Sequence, residues 1–241
     1  MNKPENFYEL SVVVLCYRSE ENIISFVDGL KKLLHSLTQD WQLVLVGNYI
    51  EGSADKTKDI IRELAANDTR IKTVIEPKRG MMGWDMRKGL FAADGRYICV
   101  IDGDGQFPIE SIETCYKTIK NSDYDLVKTY RKKRDDGFYR ILISRIYNFL
   151  FSILFPNFKC RDANSKPKIL TAEAYKKMSL TSNDWFIDAE IMISVRRLKM
   201  KFTEFPIHFY DIKSRGSFVK ISAIFEFIKN LMYFRIKELF K

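Results

Sequence analysis

Strand-like and helix-like segments alternate without a break over the first 130 residues, and this order constrains the fold more than any other feature of the chain. Leu10-Ser-Val-Val-Val-Leu-Cys16 is a continuous, β-branched apolar run, as expected of a strand covered on both faces. Apolar residues then recur at helical spacing over residues 20–37: Ile23, Phe26, Val27, Leu30, Leu33, Leu34 and Leu37. The same patterns predict strands at 42–46, 71–75, 97–101 and 125–129, and helices at 56–66, 84–93 and 109–120. Such alternation implies right-handed crossovers and therefore an α/β fold, with a largely parallel central sheet flanked by helices. Sheets of this kind bind ligands outside the carboxyl ends of their strands.

The 241 residues contain no fixed-period repeat, no low-complexity tract and no linker rich in Pro, Gly or Ser. One domain over 1–217 is expected, divided into a first half (1–130) and a second half (131–217), with a C-terminal amphipathic helix over 218–241. The opening MNKPENFYEL is not a charged-then-apolar signal, so export is not expected. Cys16, Cys99, Cys115 and Cys160 form no C-x-x-C pair, which argues against zinc and fits reduced thiols in a cytoplasmic protein. A net charge of +9 is compatible with nucleic acid, anionic lipid or phosphorylated small molecules. No helix-turn-helix, zinc or RNA-binding motif accompanies it, so a nucleic-acid partner is not expected. Lys128, Arg131, Lys132, Lys133, Arg134, Arg140 and Arg145 crowd one region, readable as a solvated loop or as an anion site.

Tyr97-Ile-Cys-Val-Ile-Asp-Gly-Asp-Gly-Gln-Phe-Pro108 ends an apolar strand in two aspartates separated by a glycine. An EF-hand calcium loop is excluded, because its sixth position demands glycine and holds Phe107 here. A glycine-rich phosphate loop is weak, since acids repel phosphate unless a cation stands between them. Two readings stay open on the segment alone: a plain turn, or carboxylates that hold Mg²⁺ or Mn²⁺, which in turn holds a diphosphate. Gly103 and Gly105 would then let the backbone approach the ligand closely.

Five segments, in order, carry a family resemblance: SVVVLCYRSEENI (11–23), GSADKT (52–57), KRGMMGWDMRKGLFAADGRYI (78–98), DGDGQFP (102–108) and WFIDAEIMISVRR (185–197). Together they resemble the family 2 glycosyltransferases of GT-A fold, and within them polyprenyl-phosphate sugar transferases of the dolichyl-phosphate mannose synthase kind. The resemblance implies a nucleotide-diphosphate sugar donor bound by the half 1–130, an acceptor bound by the half 131–217, and a divalent cation, Mg²⁺ or Mn²⁺. It places the metal on Asp102, Asp104 and Gln106, with Asp104 central to catalysis. The donor falls to Leu15, Tyr17, Glu20, Asn48, Glu51, Gly83, Asp85, Arg87, Asp102 and Arg215. Leu15 and Arg18 stand where the family has proline and asparagine, and Asn48 or Glu51 replaces two aspartates that help hold the nucleoside.

The segment 138–158 is apolar nearly all round, with Arg140, Ser144, Asn148 and Ser152 on one face. It reads either as a core helix with a satisfied polar stripe or as an interfacial helix on a membrane. The resemblance assigns an acceptor phosphate to Arg131, Arg140 and Ser144. The C-terminal segment 218–241 pairs an apolar stripe with five cations, which suits an anionic membrane surface or docking on its own domain. With no apolar run of about 18 residues, the expectation is a protein held peripherally on the inner face of the membrane.

The function these features imply is inverting transfer of a sugar to a polyprenyl-phosphate lipid. An ionised phosphate acceptor needs no enzymic base. A sugar hydroxyl of a cell-surface glycan, the alternative acceptor, would need one, and Asp188 or Glu190 would then serve. A second alternative is a non-catalytic protein that binds nucleotide sugar or lipid phosphate.

Overall fold

In the computed structural model, which describes residues 8–135, 137–211 and 222–239, seven strands form one sheet in the order β3-β2-β1-β4-β6-β5-β7. The chain runs β1 (Tyr8–Leu15), α1 (Asn22–Leu37), β2 (Trp41–Val46), α2 (Thr57–Ala66), β3 (Ile71–Val74), α3 (Met82–Ala92), β4 (Gly95–Asp102) and α4 (Ser111–Lys120). It continues through β5 (Leu126–Arg134), α5 (Phe138–Leu154), β6 (Lys168–Thr171), α6 (Ala172–Lys177), α7 (Ile187–Arg197), β7 (Phe202–Phe209) and α8 (Ser222–Leu239). β6 pairs antiparallel with both β4 and β5, while every other pairing is parallel. Six strands therefore share one direction, and the sheet is largely parallel as the alternation predicts.

The first three strands step outward from β1 to β3, and α3 then carries the chain back to place β4 on the other side of β1. The connections diverge between β1 and β4, which makes their carboxyl ends the topological switch point where such sheets open a crevice. Leu15 is in register with Asp102 there, and the Gly103 N–H donates to the Leu15 carbonyl at 2.9 Å. The reversed β6 delivers its amino end, Lys166–Lys168, to the same edge of the sheet.

Two apolar layers cover the sheet, and strand alternation sorts residues between them. Val12 and Val14 join the layer under α1, α2 and α4, which includes Ile23, Leu30, Ile61 and Ile112. Val13 and Leu15 join the opposite layer, built from α3, α5, α7 and α8. Gly103 belongs to the first layer: a Cβ there would lie 2.9 Å from Val14 Cγ1 and 3.0 Å from Ile23 Cδ1. Its missing side chain lets β4 pack on β1 and α1, which corrects the expectation that it makes room for a ligand. Gly105 does serve the turn, with a φ of 76° that favours glycine.

The basic run is not a solvated loop throughout. Lys128 and Arg131 lie within β5, and Lys128 is fully buried. α5 buries Tyr147 and Phe151 against the sheet side and leaves Phe138, Leu142, Ile146, Phe149 and Ile153 exposed. α8 packs on its own domain: Leu231 is fully buried, Phe227 stacks near Tyr147 at 5.3 Å and Phe234 near Phe186 at 5.1 Å. Its opposite side exposes Ile228, Met232, Tyr233 and Ile236. No described helix is long and apolar enough to cross a membrane.

The two faces of α1 give a direct check on this packing. Leu30→Ala removes a fully buried side chain and is expected to cost about 2–5 kcal/mol. Ile24→Ala, on the exposed face, should change stability by less than about 0.5 kcal/mol. Urea unfolding midpoints of the two variants measure the difference.

Candidate active site

The carboxyl ends of β1, β2 and β3 gather a polar cluster beside the switch point. Asn48 donates from Nδ2 to Asp85 Oδ1 at 2.9 Å and accepts from the Glu76 N–H at 2.9 Å. Lys78 forms a close ion pair with Asp85, and its ammonium lies 4.3 Å from the centre of the Tyr17 ring. Burial pushes the Asp85 carboxyl up, outweighing the lowering by Lys78 and Asn48. Tyr17, Asn48 and Asp85 are thus brought together, with Lys78 as a fourth member that the sequence patterns did not single out.

Other donor-side candidates are held differently. Glu20 and Glu51 are exposed, although the Glu20 N–H donates to Thr57 Oγ1 at 2.9 Å. Thr57 in turn donates to Asp55 Oδ1 through both N–H and hydroxyl, which closes the GSADKT turn. Leu15 is buried beneath the β4 turn. Gly83 allows the 182–184 loop to approach, since a Cβ would lie 2.5 Å from the carbonyl oxygens of Ser182 and Asp184. Arg87 donates to the same loop, to the Thr181 carbonyl at 3.1 Å and to Asn183 Oδ1 at 2.5 Å. Arg215 lies outside the described residues.

Asp102 and Asp104 project from the end of β4 at partly exposed positions. Asp104 Oδ1 accepts the Gln106 N–H at 3.0 Å, which sets the turn. Gln106 donates from Nε2 to the Tyr210 carbonyl at 3.2 Å, and the Tyr210 N–H returns to the Gln106 carbonyl at 3.0 Å. The motif is therefore tied to the end of β7. Among the described residues no three His, Cys, Asp or Glu side chains form a metal-binding group. The carboxylates of 102 and 104 nevertheless supply the hard oxygen donors that Mg²⁺ and Mn²⁺ prefer.

Behind the motif lies a buried set of paired charges. Lys166 Nζ is 3.1 Å from Asp102 Oδ2 and 3.0 Å from Asp188 Oδ2, and Lys168 Nζ is 2.5 Å from Asp188 Oδ1. Burial opposes charge on Asp188, yet the two ammoniums outweigh it and hold the carboxyl below its ordinary value. Burial lowers the Lys168 pKa to about 8 despite Asp188, whereas Asp102 and Asp188 overcome burial at Lys166 and raise its pKa. Lys128, opposite Lys168 in register, donates to the Thr129 and Asp162 carbonyls at 2.6 Å each and to Glu204 Oε2 at 3.1 Å. Glu190 accepts from the Thr181 N–H and hydroxyl and from the Ser182 N–H, each at 2.8 Å, and so pins the 181–182 turn.

Among the residues expected to bind an acceptor phosphate, Arg131 binds Asp162 as a fork, Nε to Oδ2 at 2.7 Å and Nη2 to Oδ1 at 2.9 Å. Arg131 Nη2 also lies 3.5 Å from Ser144 Oγ on α5. Arg140 occupies the preceding turn of the same helix, four residues before Ser144. Asn148 continues the stripe, accepting the Ala163 N–H at 3.0 Å. The polar face of α5 is thus turned to the 162–163 segment. Burial opposes ionisation of Asp162, and the Arg131 guanidinium overrides it and holds the carboxyl far below the usual range.

The model described as Glycosyl transferase family 2 matches residues 11–188. A dolichyl-phosphate beta-glucosyltransferase from Trichomonas vaginalis is 26% identical over 248 residues, covering 95% of this chain and 73% of its own. A dodecaprenyl-phosphate galacturonate synthase from Rhizobium johnstonii is 28% identical, covering 74% of this chain and 52% of its own. The chain thus spans about half to three quarters of the length of these curated relatives. Glucosyl-3-phosphoglycerate synthase from Mycobacterium tuberculosis, solved with Mn²⁺, uridine diphosphate and phosphoglyceric acid, superposes with a TM-score of 0.72 at 17% identity, over 95% of this chain and 78% of that one. At that identity the likeness is one of fold, and it agrees with the GT-A type α/β architecture.

The Arg131–Asp162 pair has a pH signature. Asp162→Asn removes the carboxylate that pairs with a nearly buried guanidinium (side-chain exposure 11%) and is expected to cost about 3 kcal/mol at neutral pH. With its folded pKa depressed below the ordinary 3.8, Asp162 stabilises the fold fully above that value and loses the contribution as pH falls through the folded pKa. The stability gap between wild type and Asp162→Asn should therefore narrow on acidification below 3.8, as read by denaturant titrations at stepped pH.

Proposed function

Because the chain belongs to glycosyl transferase family 2, we propose that it transfers a sugar, with inversion, from a nucleotide-diphosphate sugar to a polyprenyl-phosphate lipid at the inner membrane surface. The observation that carries this reading is the construction of α5. Its first half joins Ser144 to the Arg131 fork, and an apolar stripe along its length faces outward. Headgroup contacts and a lipid-compatible surface thus belong to one element. Relatives named for dolichyl phosphate and dodecaprenyl phosphate acceptors agree with it.

Each residue then has a physical task. Tyr17, Asn48 and Asp85 offer a ring face and polar atoms to the nucleoside end of the donor, with the exposed Glu20 and Glu51 as further candidates. Asp102 and Asp104 supply ligands for Mg²⁺ or Mn²⁺, whose chemistry when bound is to neutralise charge on the departing diphosphate. Arg131, Arg140 and Ser144 orient the acceptor phosphate, which is already ionised at neutral pH and attacks without a base.

The state of the two remaining acids favours this acceptor over a sugar hydroxyl. Asp188 is buried between two ammoniums and held ionised, so it has little tendency to accept a proton. Glu190 is buried and already accepts three hydrogen bonds. Both serve as positioning residues in this reading. The unit 1–217 acts as the transferase domain, and the C-terminal helix adds a second outward apolar patch beside α5.

Incubating the protein with membranes, Mg²⁺ or Mn²⁺ and a panel of labelled sugar nucleotides tests the assignment. Label is expected in an organic-extractable lipid, and label confined to polymer would transfer the assignment to the hydroxyl acceptor. Asp104→Ala should lower turnover by at least about 10²-fold, and retained activity would remove Asp104 from the mechanism. Replacing Ile146, Phe149 and Ile153 by serine should weaken sedimentation with vesicles by about tenfold or more, as expected from the loss of buried apolar area, with the fold unchanged by circular dichroism.

A further inference from the structure

The donor motif carries a cation of its own. Lys166 lies just before β6, and its ammonium bridges Asp102 Oδ2 at 3.1 Å and Asp188 Oδ2 at 3.0 Å, with Met82 Sδ at 3.2 Å. The lysine side chain is 2% exposed, whereas that of Asp102 is 22% exposed. The ammonium thus approaches from the protein side and leaves the solvent side of the carboxylate to a ligand. Asp188 is shared with Lys168, so two acids and two amines balance behind the motif. A diphosphate entering here meets one carboxylate already paired with an internal cation.

We propose that Lys166 is a resident cation of the donor site, which lets this chain hold a nucleoside diphosphate in the absence of divalent metal. The inference rests on the reading of Asp102 and Asp104 as the donor motif. Pairing with Lys166 halves the net charge of the two aspartates, and with it the repulsion a diphosphate meets. The same ammonium competes with an incoming metal for Asp102 Oδ2, so it weakens metal binding while it makes that binding less necessary. Removing the lysine reverses both effects: Asp102 loses this counter-charge, and the motif binds metal more tightly and rejects a bare diphosphate.

Calorimetric titration of the full chain with UDP, and in parallel with GDP, in EDTA and in Mn²⁺ provides the test. Wild type should lose no more than about tenfold in nucleotide affinity when the metal is removed. Lys166→Met should lose about 100-fold or more under the same change, and Lys166→Arg should restore metal-free binding. Because Lys166→Met leaves Asp102 and Asp188 short of one charge, Lys166→Met/Asp188→Asn provides a charge-balanced second variant, checked for fold by near-ultraviolet circular dichroism. Electron paramagnetic resonance of Mn²⁺ alone, with no nucleotide, should show tighter binding in both methionine variants than in wild type. Wild-type binding of nucleotide only in Mn²⁺ would overturn the resident cation and leave the donor reading intact. Equal metal dependence in wild type and variants, or Mn²⁺ binding no tighter without the lysine, would also overturn it. No nucleotide binding under either condition would overturn the donor reading, and this inference with it.

Discussion

Asp188, buried between Lys166 and Lys168, is the contact on which the rest of the site depends. It stands at the start of α7, while its partners flank the amino end of the reversed strand β6. Isolated charges in such a place would cost several kcal/mol each in lost hydration. They are tolerated because every member has a partner: Lys168 also donates to the Ser165 carbonyl, Lys166 reaches Asp102, and Lys128 is held by Glu204 and two carbonyls. Directional hydrogen bonds at these distances fix the position of α7 over the sheet more narrowly than apolar packing alone would. From that helix Glu190 pins the 181–182 turn, and the turn meets α3 through Gly83 and Arg87. The cluster at Asp85 and the motif at Asp102 are therefore both tied to α7, one through the 181–182 turn and α3, the other through Lys166 and Asp188.

This arrangement explains which parts of the molecule were legible in the sequence. β1, β2 and β4 are buried on both faces, so their apolar runs report burial directly, and α1 shows the 3.6-residue repeat of a helix with one covered side. β6 and β7 escaped because their patterns contradict the ordinary signals. β6 opens with a buried lysine, and β7 carries Glu204 and Pro206 within a mostly half-buried strand. A lysine in a sequence reads as solvent-exposed until its counter-ions are known, and those of Lys128, Lys166 and Lys168 lie 76, 64 and 20 residues away. The aspartate pair was legible through its motif, while the role of the glycine between them was not. Only the fold shows that Val14 and Ile23 occupy the space a side chain at 103 would need.

A separate physical question is why α5 is apolar on two sides. Tyr147, Phe151 and Phe155 form the side that meets the core. Arg140, Ser144, Asn148 and Ser152 form a polar seam, and Asn148 locks it to the Ala163 backbone. That lock sets the rotation of the helix about its axis. With the rotation fixed, the side bearing Phe138, Leu142, Ile146, Phe149 and Ile153 has to face outward.

A helix that needed only to fill the core would present polar residues there, because exposed apolar stripes invite association. The outward stripe continues in kind on α8, whose Ile228, Met232 and Ile236 are exposed while Leu231 is buried. Two adjacent helices thus use one set of apolar residues to hold the domain together and carry a second set on their exposed sides. In the proposed function the seam between them gives the arrangement its logic. An amphiphilic acceptor has a phosphate and a hydrocarbon chain joined end to end, and the Arg131–Ser144 pair stands beside an outward apolar surface in the same order. Reading one substrate by two unlike surfaces requires that their separation be fixed, and the Asn148 lock together with the Arg131–Asp162 fork supplies that rigidity.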